Sequence, residues 1–178
     1  MEKKIPGVVA TTGLGNEHKS LLEAATKEIP VFFSANMSLG VSLLTELVKK
    51  AVTVLGDGFD IEIIEKHHNR KLDAPSGTAM AIADAISEAA EGPKEYVYDR
   101  HSVRRAREKQ EVGIHAVRGG TIVGEHTVLF AGQDEVIEIK HSAGSRDIFA
   151  VGALRAAAFL KDKPAGLYNM QDLVSASV

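Results

Sequence analysis

Glu65-Lys66-His67-His68-Asn69-Arg70-Lys71-Leu72-Asp73-Ala74-Pro75-Ser76-Gly77-Thr78-Ala79 is the stretch from which the fold reads outward. The alternating run Ile61-Glu62-Ile63-Ile64 leads into it, and Ala79, Ala83, Ile86 and Ala90 leave it with helical spacing. The reading is strand, polar turn, helix start. Pro75 is expected at the first helical position, with Ser76, Gly77 and Thr78 presenting backbone N–H groups to a small anion. Two imidazoles, His67 and His68, and the Lys71 ammonium stand close by in sequence, so proton donors and a fixed positive charge adjoin a carboxylate-sized cradle. The plain alternative is a polar loop ahead of a well-capped helix, but the density of functional groups argues for a site. Ser76 fits capping or ligand binding better than a nucleophile's role, because no G-x-S-x-G surrounds it.

Before this stretch, Val8-Val9-Ala10-Thr11 reads as a buried strand, Asn16 as the cap of a helix with Leu21, Leu22, Ala25 and Ile29 inward, and Val31-Phe32-Phe33-Ser34 as a second strand. Two short strands joined by a helix suggest the parallel repeat of a doubly wound nucleotide-binding fold. Such a sheet needs more strands than these, so part of it is expected upstream of Met1. A helix carrying Val41, Leu44, Val48, Ala51 and Leu55 then leads to the central strand. After it, Tyr96 to Gln110 is polar and irregular, and strands are expected at Val112 to Val117, Thr121 to Phe130 and Val136 to His141. With Ile61 to Ile64 these make a mixed sheet of about four strands that the helices cover on one face. A last helix runs from Ser145 to Leu160. The fold class is therefore α/β (α+β), divided into a nucleotide-domain remnant (1–36), a sheet domain (37–162) and a returning C-terminal segment (163–178).

Composition narrows the class of function. With 44% hydrophobic and 25% charged residues the chain is globular rather than disordered, and no apolar run is long enough to span a membrane. The absence of cysteine removes disulfides, thiolate metal sites and cysteine nucleophiles, and with no signal peptide at the N-terminus a cytoplasmic location is the default expectation. A net charge of −3 gives no reason to expect nucleic acid, and the local basic run Arg100, Arg104, Arg105, Arg107 and Lys109 reads as a solvated loop. Seven histidines raise the question of a metal, but no H-x-H or H-E-x-x-H spacing occurs, so none is expected. Gly13-Leu14-Gly15 lacks the third glycine of a dinucleotide fingerprint.

Glu65-x-His67-His68-x-x-Lys71-x-Asp73-Ala74-Pro75-Ser76-Gly77-Thr78-Ala79 resembles the signature of the dihydrodipicolinate reductases, also called 4-hydroxy-tetrahydrodipicolinate reductases. Thr11-Thr12-Gly13, Ala35-Asn36, Arg118-x-Gly120-x-Ile122-x-Gly124-Glu125-His126 and Ser145-Arg146 follow in the family's order. The resemblance implies NADH- or NADPH-dependent reduction of a cyclic unsaturated dicarboxylate in lysine and diaminopimelate biosynthesis, by a homotetramer joined through the sheet. It implies that His67 and Lys71 are catalytic and that His68, Lys71, Ser76, Gly77 and Thr78 bind substrate. Ala10, Thr11, Thr12, Ser34, Ala35, Asn36, Met37, Arg146 and Phe149 match cofactor-side positions. Ala10 stands where many members have glycine, and Met37 where many have an aromatic residue. Most of the family's dinucleotide-binding domain is missing, so this chain is expected to be inactive and to bind NADPH very weakly. The alternative reading is a cofactor-free dicarboxylate-binding or assembly module.

Overall fold

The computed structural model describes residues 4–176, which form two compact units. The first comprises the described residues up to Leu43 and from Arg146 onward; the second is Leu44–Ser145.

In the first unit, β1 (Gly7–Val9), α1 (Asn16–Thr26) and β2 (Pro30–Phe33) form the expected strand-helix-strand repeat, with β1 and β2 parallel. Two expectations about α1 are corrected. Gly15 rather than Asn16 precedes the helix, without a side-chain cap, and Leu21 is exposed. The helix buries no residue fully, so its inward face is narrower than the periodicity implied. A third parallel strand, Gly166–Tyr168, pairs with β2. Sequence reading missed it because three residues next to Pro164 carry too little alternation to register as a strand.

The last long helix, Asp147–Leu160, belongs to this first unit and packs on β1 and β2. The expectation that residues up to 162 sit with the second sheet differs from this division. Phe32, Met37, Ala156, Leu160, Met170 and Leu173 make one apolar cluster, and that burial fixes where the helix lies. Gly152 shows how close the approach is, since a Cβ there would stand 1.7 Å from the Met37 carbonyl oxygen.

The second unit begins within α2 (Leu39–Leu55), at Leu44. Its sheet is formed by β3 (Asp60–His67), β4 (Glu95–Val97), β5 (Glu111–Arg118), β6 (Gly124–Ala131) and β7 (Val136–Ala143), in the order β4-β5-β3-β6-β7. Between β3 and β4 runs α3 (Gly77–Ala89). The remaining elements are α4 (Asp147–Leu160), β8 (Gly166–Tyr168) and α5 (Met170–Ser175).

The sheet is mixed as expected but has five strands, because β4 adds a short parallel edge inside the segment read as irregular. Alternation along β3 buries Ile61, Ile63, Glu65 and His67 on one face, where Leu44, Val48 and Val52 of α2 and Ile82, Ala83 and Ile86 of α3 cover them. Val128 and Phe130 share that face, while Leu129 and Ala131 take the other.

The basic run before β5 is folded back rather than solvated. Arg100 reaches Glu62 and Glu111, Arg105 reaches Glu108 and Glu111, and Arg107 reaches Asp60 and Glu62. The Glu111 side chain is fully buried, and its pairing with Arg100 overcomes the cost of burial and holds its carboxyl below the usual range. Three arginines of the run are thereby paired with carboxylates.

Candidate functional site

The site begins with strand periodicity. Glu65 and His67 are two residues apart on β3, so their side chains leave the same face, and the Glu65 carboxylate lies 2.6 Å from His67 Nδ1. The strand runs through His67, which makes this residue part of the sheet rather than of the turn first expected.

Register brings in the next partner. Arg118 is paired with His67 across β5 and reaches back to Glu65, donating from both guanidinium ends at 2.7 and 2.8 Å. The Ser76 N–H donates to the same carboxylate at 3.0 Å. Burial raises the Glu65 pKa, but Arg118, then His67 and the Ser76 amide outweigh it and keep the carboxyl below its ordinary value. Glu65 is therefore an ionised carboxylate, fully buried and saturated with donors.

α3 starts one residue after Ser76, which is its N-cap and accepts from the Ala79 N–H at 3.2 Å. Pro75 thus lies outside the helix, one residue before the cap rather than at the first helical position. The Ser76 hydroxyl also meets His126 Nε2 at 3.1 Å and is buried. Its polar groups bond Glu65, His126 and the Ala79 N–H within the fold. Gly77 and Thr78, in the first turn, lie further out, and open space surrounds the position of a Gly77 Cβ.

Lys71 is ion-paired with Asp73 at 2.9 Å. That pairing, assisted by the Gly77 N–H, holds the Asp73 carboxyl below its ordinary value. Asp73 thus places a carboxylate against the ammonium and the helix start that an anionic ligand would use. His68 follows the last residue of β3 and is half-buried.

His126 closes the motif that begins at Arg118 and carries no role in the sequence reading. It faces Glu65 across β6, and its ring meets the His67 ring edge-on with centroids 5.3 Å apart. Burial, then the charges of His67, His141 and Lys71 against the opposing pull of Glu65, push it down to about 4. His141, its cross-strand neighbour on β7, is also lowered by burial. Among the described residues no group of three or more His, Cys, Asp or Glu side chains is arranged to hold a metal ion.

The sign of the His126 effect is definite. The unfolded chain binds a proton near pH 6.5, whereas the folded chain resists it until about pH 4, so stability falls as pH drops through that window. The expected loss is about 3 kcal/mol across the whole window, of which about 2 kcal/mol falls by about pH 5. His126→Gln should remove most of this loss; urea midpoints at about pH 7 and about pH 5 that shift equally in both proteins would refute it.

The residues expected on the cofactor side lie in the first unit. Ala10, Thr11 and Thr12 follow β1, and Ser34, Ala35 and Asn36 follow β2, so both triplets stand at the C-terminal edge of a parallel sheet, where α/β folds bind ligands. Arg146 is the N-cap of α4, and Phe149, in its first turn, is partly exposed. Met37 departs from this group, because its side chain is only 3% exposed in the apolar cluster beneath α4. The Ser34 hydroxyl donates to the Asn36 carbonyl, and Asn36 Oδ1 accepts from the Ser38 N–H. This tight turn sends Met37 inward.

Sequence reading gave no role to Glu65 or Arg118, although both stood in the motifs quoted. The usable signal was the spacing of Glu65 and His67, two residues apart on a half-buried strand.

A short parallel sheet with open loops at its C-terminal edge, and a mixed sheet carrying a carboxylate-bound histidine whose carboxylate also holds a helix start, define the class: a two-unit α/β protein. The comparisons narrow the class. The profile for dihydrodipicolinate reductase, C-terminus, matches residues 40–174, and that for dihydrodipicolinate reductase, N-terminus, matches residues 1–37. The chain is 60% identical over 173 residues to the 4-hydroxy-tetrahydrodipicolinate reductase of Caldanaerobacter subterraneus subsp. tengcongensis, covering 97% of this chain and 68% of the relative. It is 53% identical to that of Clostridium tetani, again over 68% of the relative. A solved structure, dipicolinate-bound dihydrodipicolinate reductase from Paenisporosarcina sp. TG-14, superposes with a TM-score of 0.75 at 25% identity, over 94% of this chain and 64% of that one. The chain belongs to the dihydrodipicolinate reductase family.

Proposed function

We propose that this chain supplies the substrate-binding and proton-donating part of an NADPH- or NADH-dependent reduction of 4-hydroxy-tetrahydrodipicolinate to tetrahydrodipicolinate. The observation that carries the reading is that Glu65 ties the His67 imidazole to the Ser76 N–H at the start of α3, while Asp73, bonded to the Gly77 N–H of the same helix start, holds the Lys71 ammonium.

Reduced nicotinamide supplies the hydride. This chain's residues handle what the hydride leaves behind. Addition to a conjugated imine places carbanion-like charge on the neighbouring carbon, and His67 protonates it. Lys71 stabilises the developing charge and, with the Gly77 and Thr78 amides, the Thr78 hydroxyl and His68, holds a substrate carboxylate. That carboxylate takes over Lys71 from Asp73. Ala10 to Thr12, Ser34 to Asn36, Arg146 and Phe149 contact one end of the cofactor. No glycine-rich pyrophosphate turn occurs in the sequence, so these contacts by themselves hold NADPH weakly and the isolated chain does not turn over.

Isothermal titration tests the reading. Pyridine-2,6-dicarboxylate should bind the chain, and Lys71→Ala should weaken it by about tenfold or more, as expected for loss of a charge-assisted contact. Absence of binding, or equal affinity in Lys71→Ala, would count against the site. Micromolar NADPH affinity would overturn the assignment of weak cofactor binding.

The sheet face turned away from α2 and α3 carries Ile64, Val117 and Leu129, with Val117 43% exposed. Self-association of this face into a homotetramer covers these apolar side chains. Light scattering at micromolar concentration should give a mass above one chain, reduced by Leu129→Glu; a monomeric parent would refute it.

A further inference from the structure

We infer that Glu65, clamped by Arg118, is the positioning residue of this site: it fixes His67 with its proton on Nδ1 and reserves Nε2 for the substrate. The inference rests on the reading of His67 as the proton donor. Glu65 is ionised and lies 2.6 Å from His67 Nδ1, so that nitrogen must be the donor of the hydrogen bond. Both Glu65 oxygens are already held, by the Arg118 fork and by the Ser76 N–H, so the carboxylate cannot rotate away from the imidazole. Arg118 also donates to the Asp73 carbonyl, which ties the clamp to the segment carrying Lys71.

The other ring nitrogen is treated differently. His67 Nε2 lies over Gly124, where a Cβ would come within 3.1 Å of it, so glycine at this position keeps a side chain from pressing on that atom. During protonation the Nε2–H bond breaks, the C–H bond forms, and the electron pair of the broken bond stays on Nε2. The Nδ1–H···Glu65 bond is present before and after, so the ring ends the step as the neutral tautomer already preferred and has no second proton to move. Arg118 balances the carboxylate charge, which keeps Glu65 from taking the Nδ1 proton itself.

Imidazole ¹⁵N NMR of the 178-residue chain reads this directly. Neutral His67 in the parent should be the Nδ1–H tautomer by about tenfold or more, the preference expected from a charge-assisted bond. Glu65→Gln should reduce that preference to near parity, because an amide can donate as well as accept. An Nε2–H tautomer in the parent would overturn the inference, as would a folded Glu65→Gln protein with unchanged tautomer. If Glu65→Gln does not fold, the parent spectrum decides. Pyridine-2,6-dicarboxylate added to the same sample separates the two readings: failure to bind with the tautomer fixed counts against the proposed function alone.

Discussion

Glutamine in place of His67 is expected to lower kcat by ~10²-fold or more while changing KM far less, since general acid catalysis typically contributes that factor. The measurement calls for a chimera joining this chain to the part of the Caldanaerobacter relative that it does not span. Glutamine keeps a polar group near Glu65 and preserves the packing against His126, so binding should persist. What it cannot do is deliver a proton and recover it near neutral pH. The loss therefore falls on the transition state, which separates it from the weakened binding expected of Lys71→Ala. A kcat within about threefold of the parent would mean that another group protonates the carbon, given the size of the effect expected.

Removing the Glu65 carboxylate should have the largest effect on stability. Glu65→Ala leaves the Arg118 fork, the Ser76 amide and His67 Nδ1 without their common acceptor in the interior. Breaking a buried pair from one side costs roughly 3–5 kcal/mol, and partial exposure of Arg118 places the expectation near the lower end. Arg118→Ala should also destabilise, but the double substitution should cost clearly less than the two single losses added, because each single variant strands the other partner. Additive losses in urea unfolding would show that the pair is not coupled. The Glu65 contribution also depends on pH. It is present above the ordinary carboxylate range and is lost as pH falls through the depressed folded value, below the window in which His126 acts.

The sequence by itself determined most of the order of elements and the family. The alternation from Ile61 onward, the helical spacing from Ala79 to Ala90 and the strand-helix-strand pattern around Val8 and Val31 all reflect local periodicities, which a chain carries without its partners. His67, Lys71, Gly77 and Thr78 stand out as candidates because they are crowded into one stretch. Tertiary structure decided what those residues touch. Register across β3 and β5 brings Arg118 to Glu65, register across β3 and β6 sets His126 opposite Glu65, and the start of α3 then meets His126 through Ser76, from partners about fifty positions away in the chain. No local signal encodes a pairing at that separation. Edge strands β4 and β8 escaped detection for a related reason: three residues hold a strand only when a longer neighbour already offers its free edge. Met37 and Ser76 turned inward because a packed cluster and a helix cap claimed their side chains, a competition settled only once the chain has folded.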